Sequence, residues 1–218
     1  MATAAAAAGD TAQPKRSVFA LALEKAPAAR DTEDTILTDG FLNLCDLIIP
    51  VIESFGSAFA IVRGDISGNI ERLRTRYATD PSKFSKLFSI VDDEVARGDQ
   101  SHSSSCTKGL LWLKRAMEFM VQILRRLGDS PESTLSEAVN ETYYATLYKF
   151  HGFFASSAFR VAFAFVPNRG PFLERVAGGS FDEQTAAEMA QFVEVFTGLL
   201  AEVHTFLDKR GLDDPCKV

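Results

Sequence analysis

Helix-start signals recur along this chain of 218 residues and restrict what it can fold into. Asp80-Pro81 and Ser130-Pro131 each place a side-chain acceptor before a proline, as at an N-cap followed by the first helical residue. Ser180, followed three residues later by Glu183, fits a capping box for a last helix that ends near Lys209. The alternating patterns and Asn-Gly or Asp-Gly turns of β-hairpins are absent from the sequence. The sequence therefore predicts an all-α fold.

Apolar residues at helical spacing indicate which faces of these helices lie in the core. The proline-free segment 103–127 carries one such stripe: Trp112, Ala116, Phe119, Ile123 and Leu127. A second stripe is expected in one long helix that begins after Ser130: Leu147, His151, Phe154, Ala158, Ala162 and Phe165. Helices are thus predicted over 81–97, 103–127, from 131 onward and over 181–209. Loops are predicted between them at 97–105, 166–171 and 177–180.

Composition and charge exclude several classes of protein. Hydrophobic residues make up 46% of the chain and charged residues 24%, which is typical of a globular protein and excludes a wholly disordered one. The net charge of −6 argues against a general nucleic-acid binder. The chain has 18 Phe but only 4 Tyr and 1 Trp, so apolar rings are in excess. That excess indicates either a very large core or an apolar surface reserved for a ligand.

The N-terminal segment and the cysteines bear on compartment. Residues 1–15 are expected to be a mobile Ala-rich tail, and 16–218 a single domain. The tail does not read as a secretory signal, because Lys15 and Arg16 follow the apolar run instead of preceding it. Three cysteines without regular spacing make a poor disulfide framework. We therefore expect a cytoplasmic protein.

One segment, 147–166, has the length of a membrane span, but Lys149, His151 and Arg160 lie within it. Each charge near the middle of a bilayer costs roughly 2.5–3.5 kcal/mol. A helix buried in a soluble protein explains this composition better.

A few polar residues are candidates for binding chemistry. Asp65, Asn69 and Arg72 are spaced to share one helical face, and together they offer acceptors, an amide and a cation suited to a polyhydroxyl group. On these residues alone, a solvated helix face with an Asp–Arg interaction is the favoured explanation. Trp112 can pack in a core or stack on a sugar ring. His151 can likewise be a core histidine or a ligand contact.

Signals for catalysis or metal binding are weak. His102 and Cys106 are too few to form a zinc site and lack an orienting residue for nucleophilic catalysis. No nucleophile elbow, metalloprotease motif or P-loop occurs in the sequence. We expect no enzyme activity, no metal and no cofactor.

Four motifs occur in an order and spacing that resemble the glycolipid transfer protein family. They are D-I-S-G-N at 65–69, D-P-S-K-F at 80–84, L-L-W-L-K-R at 110–115 and K-F-H-G-F at 149–153. The resemblance extends from about residue 38 to the last helix. It implies a two-layer all-α sandwich that holds one sphingolipid, with the sugar at the surface and the ceramide chains between the layers.

The resemblance also implies roles for the polar candidates. Asp65 and Asn69 would bind sugar hydroxyls, and Asp65 would also accept from the ceramide amide. Arg72 would help to hold the headgroup, Trp112 would stack on the sugar, and His151 would donate to the ceramide amide carbonyl.

The resemblance gives the apolar residues a role as the lining of an acyl tunnel. Transfer of roughly 30 methylenes from a bilayer into water costs about 24 kcal/mol, at about 0.8 kcal/mol each, and an apolar sleeve removes most of that cost. Phe153 takes the place of the family's membrane-docking Trp and lacks its amphipathic edge. The implied tunnel residues are Val51, Ile52, Phe59, Val62, Phe119, Ile123, Leu147, Phe159, Phe172 and Val176.

Headgroup preference is the remaining question. Family members that carry ceramide-1-phosphate have basic residues at the positions of Lys108 and Trp112, where this chain keeps only the Lys. Glycosylceramide transfer by a monomer that docks transiently on membranes is therefore the leading hypothesis. A ceramide-1-phosphate carrier and a sphingolipid-sensing adaptor are the alternatives, and Lys108 leaves some tolerance of acidic headgroups open.

Overall fold

The computed structural model describes residues 16–217, so the expected tail at 1–15 lies outside the described residues. Helices account for all regular structure in this range, and only two isolated bridges, Arg30–Ile36 and Leu37–Lys86, pair extended backbone. The α-helices are α1 (Val18–Lys25), α2 (Thr38–Asp46), α3 (Ile49–Glu53), α4 (Ala60–Thr79), α5 (Leu87–Arg97), α6 (Cys106–Asp129), α7 (Leu135–Ala145), α8 (Phe153–Phe163), α9 (Arg169–Ala177) and α10 (Glu183–Lys209). Short 3-10 helices span Ala26–Ala29, Ser57–Phe59 and Tyr148–Phe150. The all-α prediction is confirmed.

Helix α6 forms the centre of the fold. It packs chiefly against α10 and α4, with α7 and α5 as further neighbours, while α1 lies on α10 and α2 on α4. Its predicted stripe is confirmed, since Phe119, Ile123 and Leu127 are fully buried. None of the helices in the described range is long and apolar enough to cross a membrane.

The start of α6 is held by two sets of side-chain acceptors. Ser105 is the N-cap, and its hydroxyl accepts from the backbone N–H of Lys108. The buried carboxylate of Glu94, on α5, accepts from the backbone N–H groups of Cys106 and Thr107 at 2.7 and 2.8 Å. A carboxylate is favourable here because the first N–H groups of a helix lack partners within the helix. The contact therefore secures α5 to the end of α6 that carries the candidate site.

The predicted helix over 81–97 begins six residues late, at Leu87. Asp80 still acts as a cap, but of an isolated turn, because its carboxylate accepts from the N–H of Lys83 at 3.1 Å. The following residues form a turn and a bend that tertiary hydrogen bonds hold in place: the Thr38 hydroxyl donates to the Phe84 carbonyl at 2.6 Å, and the Thr38 N–H donates to the Ser85 carbonyl at 2.8 Å. These contacts prevent the backbone from entering the helix at Pro81.

The helix predicted from Ser130-Pro131 is also wrong in its start and its continuity. The capping box belongs to Thr134 and Glu137, at the start of α7, while the Ser130 carbonyl accepts from Arg169 at 3.2 Å. The chain then leaves the helical conformation at His151 and Gly152, before α8 begins.

The stripe expected in that helix is therefore divided between buried and exposed positions. Leu147, His151 and Ala162 are buried, whereas Phe154, Ala158 and Phe165 face solvent. The side of α8 that packs on the core carries Ala162 and Phe163 instead.

Two smaller corrections concern the last helices. Asp182, not Ser180, is the N-cap of α10, because its carboxylate accepts from the N–H of Thr185 at 2.8 Å. Helix α9 already begins at Arg169, inside the loop predicted at 166–171. The predicted end of α10 at Lys209 and the loops after Arg97 and Ala177 are confirmed.

Candidate functional site

A glycine lets the polar face of α4 lie directly against α6. A Cβ atom at Gly109 would lie 3.1 Å from the Cδ atom of Arg72 and 3.5 Å from the amide oxygen of Asn69. Asn69 is buried, and Arg72 donates to the carbonyl oxygens of Ser105 at 3.2 Å and Ser103 at 3.4 Å. The sequence-predicted residues Asn69 and Arg72 are thus brought against the first turns of α6, and Arg72 also braces the loop before that helix.

Asp65 lies one helical turn before Asn69, at the exposed rim of the same face. Although the residue as a whole is exposed, desolvation of its carboxyl group by the neighbouring protein raises its pKa. The positive charge of Arg72 and hydrogen bonding by Asn69 oppose this rise without cancelling it. A carboxylate in this position is poorly compensated by the protein, and it is suited to accept hydrogen bonds from a ligand.

Trp112 and His151 form the second half of the site. Their rings stack with centroids 6.0 Å apart and an interplanar angle of 20°, and Phe150 meets the indole edge-on at 6.4 Å. Trp112 lies three residues after Gly109 on α6, close to the contact with α4. The candidate site is therefore assembled from α4, the start of α6 and the non-helical residue His151.

The environment of His151 determines its protonation. Burial lowers the pKa of its imidazole, so the ring is neutral at pH 7. Its Nδ1 atom lies 3.0 Å from the hydroxyl of Tyr143, on α7. Burial, with the nearby Tyr144 and Tyr148, raises the pKa of Tyr143 to about 12, which keeps the phenol protonated.

Two cations on the Trp112 face of α6 are paired with the C-terminal segment. Lys108, Trp112 and Arg115 follow at i, i+4 and i+7 and so project from one side of the helix. Lys108 forms an ion pair with Asp214, and Arg115 forms one with Asp213 at 2.7 Å. Arg115, Asp213 and Asp214 were not predicted from the sequence. Helical spacing on α6 could have indicated Arg115, but no local signal indicates the two acids.

All ten residues proposed for the acyl tunnel lie in or against the hydrophobic core. Eight are buried, and Val62 and Phe159 are partly buried against the same cluster. The interior is filled by the protein's own side chains, with Phe55 only 4.7 Å from both Phe59 and Phe172 between ring centroids.

Ring contacts connect this interior to the polar site. The rings follow one another from the interior outward, and the distances between ring centroids are 6.2 Å from Phe59 to Phe163 and 5.7 Å from Phe163 to Phe159. The last step, from Phe159 to His151, is 4.8 Å. Phe55 and Phe163 belong to this chain of rings, although the sequence analysis did not single them out. The apolar interior therefore ends directly at the His151 imidazole.

A groove of about 790 Å³ lies on the other side of Arg115, between α6, α7 and α10. Three of the cations that line it are neutralised by ion pairs, Lys114 with Glu118, Arg125 with Glu194 and Arg126 with Glu141.

Two observations concern metal-ligating and nucleophilic side chains. Within residues 16–217, no three His, Cys, Asp or Glu side chains are grouped so as to hold a metal ion. Burial and the neighbouring Glu94 raise the pKa of the Cys106 thiol to about 12, which makes it unreactive at neutral pH.

Comparison with known proteins identifies the family to which this arrangement belongs. The family model described as glycolipid transfer protein matches residues 36–178. The chain belongs to the glycolipid transfer protein family. Glycolipid transfer protein 1 of Arabidopsis thaliana is 39% identical over 91% of this chain and 96% of its own length. Glycolipid transfer protein 2 of the same plant is 34% identical over 93% of this chain and 90% of its own length.

Solved structures of the same fold agree with this assignment. The GLTP-fold structure of FAPP2, described as selecting simple glycosphingolipids, has a TM-score of 0.82 at 25% identity and covers 93% of this chain and 100% of its own. The human ceramide-1-phosphate transfer protein, solved with 12:0 ceramide-1-phosphate, has the same TM-score at 20% identity and covers 92% and 99%. The glycolipid transfer protein fold expected from the four motifs is confirmed.

Proposed function

We propose that this protein carries glycosphingolipids with simple, neutral sugar headgroups between cytosolic membrane faces, as a monomer and without covalent chemistry. The observation that carries the proposal is the convergence of the α4 polar face, Trp112 and His151 at the end of a ring-lined apolar interior. The names of the Arabidopsis relatives and of the FAPP2 structure support the same ligand class.

The headgroup is held by hydrogen bonds and by stacking. Asp65 and Asn69, one turn apart on α4, accept from and donate to sugar hydroxyls, and Asp65 also accepts from the ceramide amide N–H. Arg72 supports this face through its contacts with the loop before α6. Trp112 offers its indole face to the apolar side of the sugar ring, a contact that needs no charge on the ligand.

His151 orients the ceramide amide through a defined tautomer. The neutral imidazole accepts from the Tyr143 hydroxyl at Nδ1, which leaves the proton on Nε2 as a donor. That donor is suited to the ceramide amide carbonyl. In this proposal Tyr143 is a positioning residue for the histidine.

The ceramide chains enter the apolar interior. Because the rings of Phe55, Phe59 and Phe172 fill this space against one another, they must part as the chains enter. A sleeve of this kind offsets most of the roughly 24 kcal/mol that exposing about 30 methylenes to water costs.

Membrane docking is assigned to the outer face of α8. Phe153 and Phe154 are 79% and 87% exposed, and Val161, on the helix, and Phe165, just after its end, extend the same apolar surface. Their opposite neighbours, Ala162 and Phe163, pack into the core. Phe153 therefore shares docking with the residues that follow it on this face.

A ceramide-1-phosphate carrier is the second candidate function, and Lys108 is the observation in its favour. Its ammonium group is already paired with Asp214, and Trp112 occupies the place of the second cation that bidentate phosphate binding requires. The neutral sugar headgroup is therefore the better match. A sphingolipid-sensing adaptor would use the same ligand, but it would require a protein partner.

The test is glucosylceramide transfer between phosphatidylcholine vesicles by wild-type protein and by Asp65→Val. Transfer is expected from wild type and lost in the variant, while the helical circular-dichroism spectrum stays unchanged. Asp208→Val, at an exposed position on α10, is the matched control and should transfer normally. Undiminished transfer by Asp65→Val would contradict the headgroup assignment.

A further inference from the structure

The segment after α10 folds back onto the headgroup face of α6. Gly211 takes a left-handed conformation, with φ of 66°, and its N–H donates to the Asp208 carbonyl at 2.9 Å. Leu212 then packs on the core, and its N–H donates to the Leu207 carbonyl at 2.9 Å. This reversal delivers two consecutive acids, Asp213 and Asp214, to the side of α6 that carries Trp112.

The two acids neutralise the two cations on either side of Trp112. Asp214 pairs with Lys108 one turn before the indole, and it also accepts from the N–H of Cys216 at 2.9 Å. The ion pair and this hydrogen bond hold the pKa of Asp214 well below its usual range, so the carboxylate stays charged.

On the other side of the indole, Arg115 is almost fully buried. It donates to the Asp213 carboxylate and to the Asp214 carbonyl, both at 2.7 Å. Its guanidinium carbon lies 3.4 Å from the Phe150 ring centroid and 5.1 Å from that of Trp112. The Trp112 face of α6 therefore carries two positive and two negative charges and is electrically neutral.

We propose that Asp214, supported by Asp213, is a specificity-determining residue that excludes anionic headgroups from the sugar site. This role rests on the proposed function, because Asp214 would determine which headgroups the sugar site accepts. A phosphate or sulfate that approaches Lys108 must displace a carboxylate already bound there, and it meets the negative charge of both acids. A neutral sugar stacks on Trp112 without displacing either pair.

The test compares three variants in vesicle transfer of glucosylceramide, sulfated galactosylceramide and ceramide-1-phosphate with identical chains. Asp214→Asn frees Lys108 and should raise transfer of the two anionic lipids by about twofold to fivefold, the range that corresponds to one partly exposed ion pair. Lys108→Met combined with Asp214→Asn should return anionic transfer to the wild-type rate. Asp208→Asn makes the same change in net charge on α10 and controls for attraction of the protein to charged vesicles.

Each outcome separates the inference from the function on which it rests. Wild-type transfer of glucosylceramide with no gain in Asp214→Asn would overturn the exclusion role alone. An equal gain in Asp208→Asn, or a gain that persists without Lys108, would also overturn it. Failure of the wild type to transfer glucosylceramide would instead overturn the proposed function.

Discussion

Two adjacent phenylalanine side chains on α8 are exposed to solvent and contribute little to the packing of the core. Phe153 and Phe154 are 79% and 87% exposed, so the fold buries only a minor part of either ring. Full burial of a Phe side chain is worth up to about 3 kcal/mol, and a minor part of that amounts to about 0.5 kcal/mol per ring. Replacing both with serine should therefore lower the free energy of unfolding by no more than about 1 kcal/mol.

The same exposure predicts a large effect on membrane binding. If a bilayer surface covers about half of the exposed area of each ring, the pair contributes about 2 kcal/mol, which is about 30-fold in affinity. The Phe153→Ser/Phe154→Ser variant should thus bind phosphatidylcholine vesicles about 30-fold more weakly in a flotation assay. Urea unfolding of the same preparation should show a nearly unchanged midpoint.

The control removes two exposed apolar residues from other helices, by Val95→Ser on α5 and Val195→Ser on α10. It should bind vesicles as the wild type does. A loss of binding below about threefold in the α8 variant, or an equal loss in the control, would refute the docking assignment. A large fall in the urea midpoint would show that the exposed rings are structural.

Three further predictions concern stability. Because the folded state raises the pKa of Asp65, ionisation of this group opposes folding as the pH rises above the ordinary value of 3.8. Asp65→Asn should therefore increase the urea midpoint at pH 7, and the gain should shrink as the pH falls toward that value; a lower midpoint at pH 7 would contradict the argument. Phe55→Ala should lower the free energy of unfolding in urea by about 3–5 kcal/mol, since the ring is fully buried between Phe59 and Phe172. A loss below about 1 kcal/mol would indicate a loose interior. Glu94→Gln should cost about 2 kcal/mol by the same assay, because the two N–H groups at the start of α6 donate to different carboxylate oxygens and an amide replaces one of those oxygens with an NH₂ donor. An unchanged midpoint would refute that role.

Local sequence signals predicted the parts of the fold that depend on neighbouring residues. The stripe from Trp112 to Leu127 identified α6 because its helix is long and uninterrupted. The start at Asp80-Pro81 was wrong because Thr38, more than 40 residues away, binds the carbonyl groups at 84–85, which lie in a turn and a bend instead of a helix. Propensity and capping rules describe local preferences, and they carry no information on such distant hydrogen bonds.

The outer face of α8 shows a different limit of sequence reasoning. Phe154 and Phe165 recur at helical spacing as core residues do, and periodicity alone cannot tell a face that packs on protein from one left exposed.

The sequence motifs predicted the residues of the candidate site. They did not predict the ion pairs that neutralise the cations beside Trp112. Asp65, Asn69, Trp112 and His151 lie in short segments that resemble a known family. Lys108 pairs with Asp214, which lies 106 positions later in the chain. The C-terminal segment that contains Asp214 has no recognised motif. Only the fold, through the turn at Gly211, shows that this cation is already neutralised.

The central claim is that the site selects a neutral sugar on a ceramide whose chains the interior can hold. The most direct measurement is the initial rate of vesicle-to-vesicle transfer by the wild-type protein for glucosylceramide, galactosylceramide, ceramide-1-phosphate and ceramide with identical chains. The two glycosylceramides should move at least about tenfold faster than either of the others, a difference of about 1.4 kcal/mol. Faster movement of ceramide-1-phosphate, or equal movement of all four lipids, would contradict the account.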